Sequence, residues 1–124
     1  GRYFNLADFK GKKINQIKID RERDEKNGNW QERISNLEPD IIVDLICFEP
    51  DSAQIMAETI DQEDIHLLTC GTAWIYGKTR IIPTPETAPR NPQNDYAQKK
   101  ADIEKILLSY TQEGHIQATL IHLI

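Results

Sequence analysis

Residues 39–48, PDIIVDLICF, form a near-continuous run rich in Ile and Val. A run of this kind is the signature of a strand covered on both faces, as in a parallel sheet. Parallel strands need crossover connections, and the flanking sequence supplies them. Downstream, Pro50-Asp51-Ser52 opens a helix near 51–61 with Ile55, Met56 and Ile60 on its inner side, and IHLLTC at 65–70 is a second short apolar strand. Upstream, Asn29-Trp30-Gln31-Glu32 has the polar-x-x-Glu spacing of a capping box. Trp30, Ile34 and Leu37 recur at helical intervals, which predicts a short helix near 29–37. Earlier still, INQIKID alternates apolar and polar as a half-buried strand does, over 14–20. Asp20 then begins DRERDEKNG, a charged segment too polar to be core.

Four prolines, Pro83, Pro85, Pro89 and Pro92, punctuate the segment from Gly71 to Pro92, which predicts an irregular loop. Asn94 or Asp95 caps the next helix, near 95–112, whose stripe of Ile103, Ile106, Leu107 and Tyr110 runs down to a stop at Gly114. ATLIHLI at 118–124 reads as a last buried strand. Strands separated by helical stretches give an α/β fold with a parallel sheet of right-handed βαβ units. No repeat or low-complexity tract interrupts the order.

Composition bounds the function. The net charge is −5 and the pI about 5.2, so no basic stripe draws in a phosphate backbone, and neither nucleic acid nor anionic membrane is an expected partner. No apolar run approaches the roughly 20 residues that span a bilayer, and no signal-like start is present, which reads as cytoplasmic. Cys47 and Cys70 lack CxxC or metal-ligand spacing and are expected as buried reduced thiols, with a redox pair as the alternative. His66, His115 and His122 share no spacing with a carboxylate or thiol cluster, so no metal is expected.

The chemistry-bearing stretch is NDYAQKKADIE, 94–104, with Tyr96 four residues before Lys100. With 4 Tyr and 9 Lys in the chain, chance alone supplies about 0.3 such pairs, so the spacing by itself is weak. The chemistry is coherent all the same. Residues i and i+4 share a helix face, and an ammonium near a phenol favours the phenolate, which makes a usable acid or base. Just upstream lies CGTAWIYG, 70–77, which puts Thr72 at the carboxyl end of an apolar strand, where open parallel sheets bind ligands.

Taken together, the strand ending in Thr72, the AWIYG turn, the loop PTPETAPRNPQNDY and the helix YAQKKADIEKILL resemble the extended short-chain dehydrogenase/reductase family, the NAD(P)-dependent sugar epimerase and dehydratase group. The resemblance covers about 39–124 and extends more loosely back to the IKID strand. It implies a partial Rossmann-like sheet of about four strands, with helices mainly on one face, in one incomplete domain over 1–124. By the same resemblance Tyr96 is the catalytic acid/base, Lys100 lowers its pKa and hydrogen-bonds the nicotinamide ribose, and Thr72 orients the substrate hydroxyl or carbonyl. Asp20, at the end of the family's third strand, would contact the adenine. Leu45, Ile46 and Cys47 fall at the end of the fourth strand, against the cofactor, where the family usually has small residues. Trp74 and Tyr76 are expected as loop packing rather than substrate contacts.

No G-x-x-G-x-x-G turn, the family's pyrophosphate grip, occurs in the 124 residues. The chain opens on Gly1 and stops in an apolar run, and the stretch before residue 14 is too short for a first strand, helix and second strand. The expectation is a piece of a longer protein: NAD or NADP and a small-molecule substrate bound by the intact parent, little or no cofactor bound by this chain. In the family's order 3-2-1-4-5-6, two absent strands would leave edges unpaired and one sheet face bare. Self-association as a homodimer or larger oligomer, or a first strand sliding beside the second, follows. The competing readings are a non-catalytic interaction or regulatory module derived from that family, and thiol chemistry at Cys47 and Cys70.

Overall fold

The computed structural model describes residues 14–80 and 82–123. Three strands, β1 (Ile41–Asp44), β2 (His66–Thr72) and β3 (Gln117–Leu123), form one parallel sheet in the order β1-β2-β3. Helix α3 (Pro50–Thr59) connects the first pair and helix α4 (Asp95–Gln112) the second, ahead of which come two short helices, α1 (Arg21–Lys26) and α2 (Trp30–Ser35). The α/β, partial Rossmann-like expectation holds, with three strands among the described residues rather than about four. Residues 14–20 form no strand. Their alternation is a local pattern, and a strand exists only where a partner completes its ladder. Nor does this segment slide beside β1; instead Ile19 packs on the core and Arg21 grips Asp44 at 2.8 and 2.9 Å.

The charged segment after Asp20 also departs from expectation, because it is helical and contributes to the interior. Asp20 caps α1 by accepting from the Arg23 amide at 3.1 Å, and the pairs Arg21–Glu25 and Glu22–Lys26, both 2.6 Å, support this short helix. Asp24 is buried and paired with Arg33 at 2.7 Å. Helix α2 begins as expected near Asn29, but that side chain makes no cap bond, so no capping box forms. Pro50 occupies the first turn of α3, where its missing N–H is harmless.

Register places Ile42, Leu67 and Ala118 in one row and Asp44, Thr69 and Leu120 in the next. On this face Ile42, Leu67, Ala118 and Leu120 meet Met56, Ala57, Ile103 and Leu107 of the two crossover helices, with Ile60 at the end of α3, forming the main core. Among the described residues nothing covers the opposite face: Ile41 is 63% exposed and Val43 57%, while Ile121 and Leu123 are exposed on β3. The readings of 39–48 as covered on both faces and of 118–124 as fully buried are therefore corrected. Only one layer of helices is present to cover them among the described residues, and Ile124 lies outside those residues. Among the described residues, no helix is long and apolar enough to cross a membrane.

Candidate active site

At Thr72 the backbone is still extended, and its hydroxyl accepts from the Trp74 amide at 3.3 Å, starting a 3-10 turn over Ala73–Tyr76. Gly77 ends that turn at φ +60°, and a Cβ there would lie 2.1 Å from the Asn91 carbonyl oxygen, so only glycine fits. The Asn91 amide donates to the Ile75 carbonyl at 2.8 Å, which returns the proline-rich loop to the turn it left. Three residues on, Asn94 caps α4 by accepting from the Ala97 amide at 2.8 Å. The irregular connection is thus held at both ends, and it delivers Tyr96 to the first turn of the helix.

Tyr96 is 44% exposed and meets Trp74 edge to face, with ring centroids 6.2 Å apart. One helical turn further, Lys100 is only 3% exposed. Its Nζ donates to the Cys47 carbonyl at 2.7 Å and the Cys70 carbonyl at 2.9 Å, and lies 4.9 Å from the centroid of the Phe48 ring. A buried ammonium needs such partners, because its desolvation is otherwise uncompensated. The same two bonds tie α4 to the segment that follows β1 and to β2 near its carboxyl end. Thr72, Trp74, Tyr96 and Lys100 are therefore gathered at the carboxyl end of β2, with the phenol at the surface and the ammonium beneath.

The remaining candidates fall elsewhere. Asp20 is a helix cap rather than the end of a strand, its carboxylate engaged with the Arg23 amide. Leu45 and Ile46 are exposed just beyond β1. Cys47 is buried beside them; it supplies the carbonyl for Lys100, while its thiol donates to the Glu49 carbonyl at 3.8 Å. Burial, followed by the nearby Asp44 carboxylate, pushes that thiol up to about 11, against nucleophilic use near neutral pH. Both cysteines are unpaired thiols.

Three participants were not legible as such. Trp74, expected as loop packing, is 58% exposed beside Tyr96. Phe48 supplies the ring over Lys100, and Glu104 is a buried carboxylate received by Arg90 and by His122 at 2.7 Å. The histidines do find carboxylates, His115 with Asp61 at 2.9 Å and His122 with Glu104, over sequence separations of 54 and 18 that no local spacing reveals. Among the described residues, no group of three or more His, Cys, Asp or Glu is placed to hold a metal.

No curated protein matches the chain. The model of the NAD dependent epimerase/dehydratase family, however, matches residues 11–124, a span that takes in the sheet, both crossover helices and every side chain of the cluster at the end of β2. With its parallel sheet, its Thr72 strand end and its Tyr96–Lys100 helix all inside that match, the chain belongs to the NAD-dependent epimerase/dehydratase family.

Proposed function

We propose that Thr72, Tyr96 and Lys100 form the proton-transfer site of an NAD(P)-dependent epimerase, dehydratase or reductase acting on a hydroxyl or carbonyl substrate. The observation that carries this reading is their convergence: Lys100 bonds the Cys70 carbonyl, Thr72 follows two residues later, and Tyr96 stands half exposed against the turn that Thr72 starts. Ligands of open parallel sheets bind at this end.

A nicotinamide ribose fits the geometry. Lys100 has three N–H donors and commits two to carbonyls, which leaves one for a ribose hydroxyl. Leu45 and Ile46 add exposed apolar surface beyond β1. When bound, the cofactor supplies hydride transfer. The side chains handle the proton: Tyr96 gives it to, or takes it from, the substrate oxygen at its phenolic oxygen. Because the Thr72 oxygen already accepts from the Trp74 amide, its own O–H is the group it offers to the same substrate oxygen.

The 124 residues contain no glycine-rich turn to grip a pyrophosphate, so by themselves they hold NAD(P) weakly. A second reading, an interaction module derived from the family, is favoured by one feature, the bare apolar face of Ile41, Val43, Ile121 and Leu123. It makes the chain a homodimer or larger oligomer through that face. In the intact enzyme carrying this sequence, Tyr96→Phe is expected to lower kcat about 10²–10⁴-fold while NAD(P) affinity, read by fluorescence titration, is spared. Unchanged kcat removes the proposed role, and tight stoichiometric NAD(P) binding by the 124 residues alone overturns the weak-binding reading.

A further inference from the structure

One buried carboxylate on α4 takes no part in the proton transfer proposed above. Glu104 is 4% exposed and lies one turn past Lys100 on the same helix. Its Oε1 accepts from Arg90 Nε at 2.9 Å and from Arg90 Nη2, while its Oε2 meets His122 Nε2 of β3 at 2.7 Å. Arg90 is itself a hub, because its Nη1 donates to the carbonyls of Glu86 at 2.6 Å and Ala88 at 3.0 Å. The guanidinium also lies 5.0 Å from the centroid of the Tyr76 ring, whose hydroxyl donates to the same Glu86 carbonyl at 3.3 Å.

The other arm of the carboxylate is equally specified. His122 pairs with Gly71 across β2 and β3, and a Cβ on Gly71 would lie 2.4 Å from the imidazole. Glycine at 71 is what lets the ring lie across the strand and reach Glu104. The carboxylate therefore joins three things: the loop at 86–90, the last strand, and the helix that carries Tyr96 and Lys100. Loop and 3-10 turn are bonded to each other between Asn91 and Ile75, and Trp74 on that turn touches Tyr96.

The geometry points to Glu104 as a positioning residue: through Arg90 it holds the proline-rich loop against the 3-10 turn and so sets the Trp74 wall beside Tyr96. This role rests on the reading of Tyr96 as the reacting group, but its consequences can be read without turnover. A neutral amide at 104 still satisfies both neighbours. Its oxygen accepts from Arg90, and its N–H donates to His122 Nε2 once the imidazole proton sits on Nδ1, facing the Tyr76 hydroxyl. An apolar side chain of similar size satisfies neither.

The test uses the chain itself, by NMR. E104L is expected to speed amide exchange at Asn91 at least tenfold relative to Leu67 in β2, and to shift the indole N–H resonance of Trp74 while leaving that of Trp30 in place. E104Q is expected to restore both signals. Equal acceleration at Asn91 and Leu67 with an unmoved Trp74 resonance means that Glu104 merely stabilises the domain, and overturns the proposal. So does a failure of E104Q to restore the signals. Should E104L not fold, R90M removes the loop's hub from the other side and must produce the same local changes. Because no cofactor or substrate enters the measurement, its failure leaves the Tyr96→Phe outcome untouched, and the reverse holds too.

Discussion

Lys100 is the most constrained side chain of the cluster at the end of β2. Its ammonium is buried and donates two of its three N–H groups to carbonyls, that of Cys47 just past β1 and that of Cys70 within β2. Arginine would not substitute, since its planar five-donor fork does not reproduce a point charge seated between two carbonyls. The neighbouring Cys47 is buried, which disfavours its thiolate. A thiol at about 11 is roughly one part in a thousand ionised at pH 8, against about a tenth for the same thiol at its ordinary value of 9.0. Iodoacetamide at pH 8 should therefore label Cys47 on the order of a hundredfold more slowly in the folded chain than in urea, followed by peptide mass spectrometry. The linkage has a definite sign. Because folding raises this pKa from 9.0 to about 11, the stability it contributes is complete below pH 9 and is lost as pH rises toward 11. Labelling at equal rates would mean that Cys47 is not buried as described.

At the scale of elements, the same physics explains what could and could not be read in advance. Helix α4 runs Asp95–Gln112, as its apolar stripe, its Asn94 cap and the glycine beyond its end require, because all three signals are local. Thr72 at a strand end was legible for the same reason. Helix α1 was not, since it has no apolar period and is held by ion pairs and by the grip of Arg21 on Asp44, 23 residues away. The supposed strand at 14–20 failed in the opposite sense, an alternating local pattern that finds no strand partner among the described residues. The site divides likewise: Tyr96, Lys100 and Thr72 carry a motif, whereas the exposure of Trp74 and the burial of Glu104 are products of tertiary placement. The 3-10 turn gives a direct check. Gly114 at φ +79° has nothing within 4 Å of an added Cβ, so Gly114→Ala should cost only the left-handed penalty of about 1 kcal/mol. Gly77→Ala meets that penalty and the Asn91 carbonyl as well, and should cost at least ~1 kcal/mol more in urea melts. Equal costs would mean that the loop does not close on the turn.

Over the whole molecule, the dominant feature is asymmetry. One sheet face is packed by α3 and α4, while the other presents Ile41, Val43, Ile121 and Leu123. Parallel sheets are ordinarily covered on both sides, and a contiguous apolar face draws a second surface onto it. The formal charge of −5, spread over a 14.3 kDa chain, opposes that association only at long range and is screened by salt. Light scattering should therefore report a mass above that of one chain at 0.15 M salt, and Val43→Lys, which places a charge on that face, should return it to a monomer. A wild-type monomer that binds no hydrophobic dye would dispose of this expectation.

The sheet order bears on endurance as well. Strand β2 lies between β1 and β3 and bonds to both, so either flank can peel away while the middle strand stays half paired. Local openings are cheapest at margins and dearest where hydrogen bonds run to both sides. By ending on Thr72, the central strand puts the proposed site on the member of the sheet that thermal fraying reaches last.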